Sequence, residues 1–106
     1  MSQHKIVVFV PVTHADAVRD AMGKAGGGSL GNYTYCSFSV RGIGRFRPEQ
    51  GARPAIGQVG RLEEVDEERI EIICDSRLVK EVVAAIVRTH PYEEPALDVW
   101  AVETWK

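Results

Sequence analysis

The chain has 106 residues, 44% hydrophobic and 26% charged, with a formal net charge of −2; this is one domain, residues 1–106, with a modest core. No run of apolar residues is long enough for a membrane-spanning helix, and the short apolar run Ile6 to Val10 ends at Pro11 without a small-residue cleavage site, which argues against a signal peptide. Cys36 and Cys74 are too few for a disulfide framework and lack CxxC spacing, so reduced thiols and a cytoplasmic location are expected.

His4 to Val12 reads as a first strand, because a continuous β-branched run suits burial on both faces. Thr13 is placed to cap a helix, with Asp16 in its first turn. Ala17, Val18, Ala21, Met22 and Ala25 recur at helical spacing, and Gly26 stands where a left-handed C-terminal residue is needed. Tyr33 to Arg41 alternates as a second strand.

The middle of the chain is compositionally distinct. All ten glycines lie between Gly23 and Gly60. Residues 23–60 carry five basic residues and one acidic, a balance of +4, whereas residues 61–106 carry six basic and twelve acidic, a balance of −6. Gly42 to Gly57 holds four glycines, two prolines and three arginines and reads as a long ordered loop or an extra hairpin.

Val59 to Val65 reads as a short strand, Asp66-Glu67-Glu68 as a polar turn, and Arg69 to Cys74 as a further strand with Ile70, Ile72 and Cys74 on one face. Asp75 or Ser76 caps a second helix with the stripe Leu78, Val79, Val82, Val83, Ile86 and Val87. It ends near Thr89-His90, because the residue before Pro91 is biased away from helix. Ala96 to Glu103 alternates as a last strand. The order predicts an α+β, ferredoxin-like split βαβ fold: an antiparallel sheet with two helices on one face and an extended loop between the middle strands. The other sheet face is left open, which predicts a homo-oligomer.

Three strings carry candidate chemistry. In His90-Pro91-Tyr92-Glu93-Glu94-Pro95, two prolines fix a turn in which imidazole, phenol and carboxylates converge, suited to a polar ligand or a cation. Gly42-Ile43-Gly44-Arg45-Phe46-Arg47-Pro48 follows a strand but opens no helix, so a dinucleotide loop is rejected. Its glycine turns, with Arg41, Arg45, Arg47 and Arg53, suit an anion. Gly31-Asn32-Tyr33-Thr34-Tyr35-Cys36-Ser37 enters the second strand, and Cys36 reads as a buried small thiol on that strand with no visible activating partner. The acidic run Glu63 to Glu68 reads as a solvated hairpin tip, and the negative net charge argues against nucleic acid.

Four strings together, Gly31-Asn32-Tyr33-x-x-Cys36-Ser37-Phe38, Gly42-x-Gly44-x-Phe46-x-Pro48, Pro54-x-Ile56-Gly57-x-x-Gly60 and His90-Pro91-Tyr92-Glu93-Glu94-Pro95-Ala96-x-Asp98-Val99, resemble the YqfO-type domain. This is the CutA-like, PII-like insert of the Nif-three family, and the resemblance covers about residues 4–103. A weaker similarity to CutA rests on Gly60-Arg61-Leu62-Glu63-Glu64 and His90-Pro91-Tyr92-Glu93. The resemblance implies a ferredoxin-like fold that associates, a trimer being favoured. It places the dinuclear metal site of full-length Nif-three proteins on flanking domains, whose histidine motifs have no counterpart here. Hydrolase activity is therefore not carried over.

The leading expectation is a non-enzymatic binding or regulatory module whose ligand sits at a subunit cleft. Asn32, Tyr33, Arg41, Gly42, Gly44, Arg45, Arg47, His90, Tyr92 and Glu93 are the candidate ligand-binding residues. The arginines would pair an anionic group. An alternative is a CutA-like copper or zinc tolerance protein, with His90, Glu93, Glu94 and Cys36 as candidate ligands of a divalent metal. A third reading, an enzyme using Cys36 or the His90/Glu93 pair, has no catalytic signature behind it.

Overall fold

A computed structural model describes residues 2–105. Four strands and two α-helices follow in the order β1 (Gln3–Pro11), α1 (Val12–Lys24), β2 (Phe38–Phe46), β3 (Glu63–Asp75), α2 (Val79–Thr89) and β4 (Leu97–Val102), with a single 3-10 turn at Ser76–Leu78 before α2. The strands form one sheet in the order β2-β3-β1-β4, every neighbouring pair antiparallel. This is the ferredoxin-like split βαβ arrangement that the order of elements predicts.

The apolar run of β1 occupies the sheet centre, between β3 and β4. Ile6, Val8 and Val10 point to the helical side and join Ile70, Ile72 and Cys74 of β3, Ala15, Val18 and Met22 of α1, and Val82 and Ile86 of α2. Each such side chain contributes roughly 1.5–3 kcal/mol when fully withdrawn from water. Helix α1 starts two residues earlier than the sequence suggests, at Val12, with Pro11 in the cap position. Thr13 is inside the helix rather than its cap, its hydroxyl paired with His14 Nδ1 at 2.9 Å. Asp16 accordingly lies beyond the first turn and pairs with Arg19. At the other end the glycines act as expected. Gly26 has φ +102°, Gly26 N–H bonds Gly23 O at 3.0 Å, and Gly27 N–H bonds Met22 O at 3.0 Å, the paired closure of a Schellman motif. Asp75 caps the second helical segment by accepting from Arg77 N–H at 2.9 Å.

The middle strands depart most from the sequence reading. Residues 33–37 are not strand: Tyr35 has φ +61°, Gly28 N–H takes the Ile73 carbonyl at 2.8 Å, and Cys36 N–H is diverted to Gly28 O at 2.9 Å. The ladder therefore begins only at Phe38 and runs on through Gly42 and Gly44, which the sequence reading places in a loop. The acidic run is likewise no hairpin tip, and no strand begins at Val59. Glu63 to Asp75 is one continuous strand, so the two short strands and the polar turn expected here are a single element. The reason is cross-strand pairing. Arg45 stands opposite Glu64 and Arg41 opposite Glu68, so the +4 and −6 segments lie side by side.

Glu68 faces the helices and is 9% exposed. Arg19 Nη1 donates to its Oε1 at 2.7 Å and to Ser39 Oγ at 2.9 Å, tying α1 to both middle strands. The pair is only partly withdrawn from solvent on the arginine side. Arg19→Met is expected to lower unfolding free energy by about 2 kcal/mol, between the surface and buried limits for ion pairs. Urea titration followed by circular dichroism checks this; an unchanged midpoint would remove the clamp from the account.

Candidate functional site

The helices cover one sheet face, and the opposite face carries Lys5, Val7 and Phe9 of β1, Glu67, Arg69 and Glu71 of β3, and Phe38, Val40, Gly42 and Gly44 of β2, by register. At one end of this face the segment 47–62 folds back over β2. Gly60 N–H bonds Pro48 O at 2.7 Å, and Ala52 N–H bonds Glu49 O at 3.0 Å. Gly51, Gly57 and Gly60 take φ values of +100°, +93° and +81°, which fold the segment at little steric cost. The segment is anchored to the other side of the site by Arg53 N–H, which donates to Glu93 Oε1 at 2.7 Å.

His90 holds that other side in place. It is 6% exposed, its Nε2–H donates to Phe9 O at 2.7 Å, and its Nδ1 accepts Tyr92 N–H at 3.1 Å. Both ring nitrogens are thus engaged with backbone, which fixes one neutral tautomer. Phe9 N–H meanwhile donates to Ala96 O at 3.1 Å, so both polar groups of the Phe9 peptide unit are satisfied by the turn. Burial pushes the His90 pKa down from its ordinary value, outweighing the hydrogen bond to Phe9.

Between segment 47–62, β2 and the Pro91–Ala96 turn lies a cavity of about 680 Å³. Its walls are largely apolar, from Phe9, Val40, Ile43, Phe46, Pro54 and Ile56. Its polar lining includes Glu67, Arg69, Tyr92, Glu93 and Glu94. Glu67 is 8% exposed, and Tyr92 Oη donates to its Oε2 at 2.9 Å. Tyr92 also packs edge-on against Phe46, centroids 5.5 Å apart. Burial first, then the hydrogen bond to Glu67, raises the Tyr92 pKa, so the phenol remains a donor. Gly44 has an extended φ and is glycine for space: a Cβ there would collide with the Glu67 carboxylate.

The structure gathers seven of the expected residues around the cavity: Gly42, Gly44, Arg45, Arg47, Tyr92, Glu93 and Glu94. Arg45 Nε pairs with Glu64 and Arg47 Nε with Glu49, both at 2.9 Å and both exposed. Arg41 lies on the helical side by register, 3.9 Å from Glu68. Asn32 and Tyr33 belong to a separate turn closed by the Leu30–Tyr33 bridge. Cys36 borders a different hollow with Phe38, Glu71 and Ile73. His90 sits behind the wall as its support. Among the described residues no three His, Cys, Asp or Glu side chains cluster to hold a metal ion.

Sequence reasoning missed Glu67, Phe9 and Arg69. Glu67 was hidden by reading Asp66-Glu67-Glu68 as a turn, where Asp66 is the run's one turn-favouring residue.

No protein-family model matches the chain. The "GTP cyclohydrolase 1 type 2 homolog" of Halalkalibacterium halodurans is 52% identical over 99 residues, which is 93% of this chain and 27% of that protein. A solved Bacillus cereus protein related to NIF3 superposes with a TM-score of 0.84 at 48% identity, over 97% of this chain and 26% of that one. In sequence and in fold the chain matches the YqfO-type, CutA-like domain of NIF3-related proteins. CutA from Xylella fastidiosa shares the fold alone, with a TM-score of 0.71 at 15% identity, over all of this chain and 88% of its own. The chain spans about a quarter of the length of the curated relatives it matches.

Because the folded His90 is less basic than the unfolded one, the unfolded state binds the extra proton as pH falls below the ordinary value of 6.5. This contribution to stability is full above that pH and is lost below it. The expected outcome is a fall in melting temperature between about pH 7 and pH 5 that His90→Gln removes. Parallel melting curves for the two chains would show an error in the role given to His90.

Proposed function

We propose that the chain is a self-associating binding module rather than an enzyme, with a small molecule held in the cavity on the uncovered sheet face. The observation that carries this reading is the cavity itself. Its volume of about 680 Å³ falls in the range of small-molecule sites, and mostly apolar walls surround a few fixed polar groups. Arg45 and Arg47 stand at its edge in exposed ion pairs, each of which stabilises by at most about 1 kcal/mol. An anionic group on a ligand exchanges readily for Glu64 or Glu49. The name "GTP cyclohydrolase 1 type 2 homolog" belongs to proteins roughly three and a half times as long, and an activity of the whole protein is not assigned to this chain.

The opposite end of the same face supports self-association. Phe38 is 64% exposed and Trp100 44% exposed, on the two edge strands β2 and β4. Large exposed apolar side chains on sheet edges mark a surface that another subunit covers. A homo-oligomer is expected, a trimer being favoured by the resemblance to CutA and PII proteins. A CutA-like role in divalent-cation tolerance is the second reading. It draws on the shared fold and on Glu93 and Glu94 at the cavity edge.

Thermal-shift screening against nucleotides, phosphorylated metabolites, copper and zinc tests the binding reading. Stabilisation by a phosphorylated compound that is lost in Arg45→Ala/Arg47→Ala is the expected result. No response to any compound at millimolar concentration would overturn it. Light scattering is expected to give a multiple of the chain mass, reduced by Phe38→Glu/Trp100→Glu. A monomer in the unsubstituted chain rules out self-association.

A further inference from the structure

The polar end of the cavity has a chemistry that its basic rim does not share. Glu67 is more than nine-tenths buried, yet its only hydrogen-bond partner among the described residues is the Tyr92 hydroxyl, on Oε2. Among the described residues no sealed side-chain oxygen lacks a partner, so the remaining oxygen, Oε1, opens onto the cavity that Glu67 lines. A carboxylate in such a place requires a donor. Arg69, on the same face of β3, does not supply it. Arg69 Nε pairs with Glu71 at 3.0 Å, and its guanidinium lies over the Phe9 ring, 5.6 Å from the centroid.

The surroundings limit the shape of a donor that can reach Oε1. Between Val40 and Phe46 on the β2 side of the cavity, Gly42 leaves open backbone, with nothing within 4 Å of a Cβ built there, while Gly44 is covered by the Glu67 carboxylate. Phe9 and Phe46 add aromatic surface, with Phe46 held by Tyr92. Open backbone beside aromatic side chains accepts a flat body, and aromatic rings favour one that carries positive charge.

We propose that the cavity is specific for a planar, N–H-donating ligand head, an amidinium or amino-substituted nitrogen heterocycle, which donates to Glu67 while its plane lies along the open backbone at Gly42. This rests on the reading of the cavity as the binding site and adds the recognition element. The arginines at the rim take an anionic tail; Glu67 selects the head. The ligand class is therefore one that carries donors at one end and an acidic group at the other.

Benzamidine and benzoate test the head specificity, because they match in size and planarity and differ in the sign of the donor edge. Titration calorimetry is expected to show saturable, millimolar benzamidine binding and none for benzoate. Glu67→Gln is expected to weaken benzamidine by about tenfold to a hundredfold, the loss of a hydrogen bond to a charged acceptor. Tyr92→Phe retains binding, because the carboxylate remains. Gly44→Ala is an independent arm: its φ is extended, so the new methyl displaces the carboxylate without straining the backbone. It is expected to weaken benzamidine even if Glu67→Gln does not fold.

Equal binding of benzoate, undiminished benzamidine affinity in folded Glu67→Gln and Gly44→Ala, or no benzamidine binding each overturns the proposal. A phosphorylated compound that still stabilises the chain in those cases leaves the broader binding reading standing. Silence from both probes and the phosphorylated compounds removes the two together.

Discussion

The β2–β3 ladder is the constraint on which the rest of the molecule depends. Its register places Arg45 opposite Glu64 and Arg41 opposite Glu68, so each strand supplies the counter-charges of the other. Over residues 41–46 and 63–68 neither strand has the apolar alternation that would fold it alone. Together they continue beyond the last paired residue of β1, Pro11, as a two-stranded ribbon. Everything at the site hangs from that ribbon: the open backbone at Gly42 from β2, the carboxylate of Glu67 from β3, and the covering segment that joins them.

The two sheet faces use the same strand for opposite purposes. On the helical side Glu68 is neutralised by Arg19 and becomes part of the packing between α1 and the sheet. One residue earlier, Glu67 points the other way, and no cation of the chain pairs with it among the described residues. Adjacent glutamates, nearly equally buried, thus have different fates because a strand alternates its side chains. Gly44 is part of the same arrangement. Any side chain there would occupy the volume in which the Glu67 carboxylate lies.

The regular elements were legible because their cues are local. The β-branched run of β1, the α2 stripe, the Gly26 helix end and the break before Pro91 are each decided within a few residues. The middle of the chain was not legible for the opposite reason. Gly42 and Gly44 look like loop residues until Glu67 is known to lie against them, and Glu63 to Glu68 looks like a solvated turn until the arginines of β2 are placed opposite. The diversion of Cys36 to Gly28 is equally non-local. The candidate site was therefore half visible: the glycines, Tyr92 and Glu93 come from motifs, whereas Glu67, Phe9 and Arg69 follow only from register.

His90 shows how a residue that looks like a ligand becomes a support. A histidine before proline, beside tyrosine and two glutamates, has the composition of a polar site. Yet its ring bridges the Phe9 carbonyl and the Tyr92 amide, two backbone groups that would otherwise lack partners at the sheet end. By fixing Tyr92 it fixes the hydroxyl on Glu67 and the edge presented to Phe46. The motif's chemistry reaches the cavity one residue removed: the imidazole sets the geometry, the phenol orients the carboxylate, and the carboxylate faces the cavity. This division of labour keeps a titratable ring out of the site while making the shape of the site depend on that ring remaining neutral.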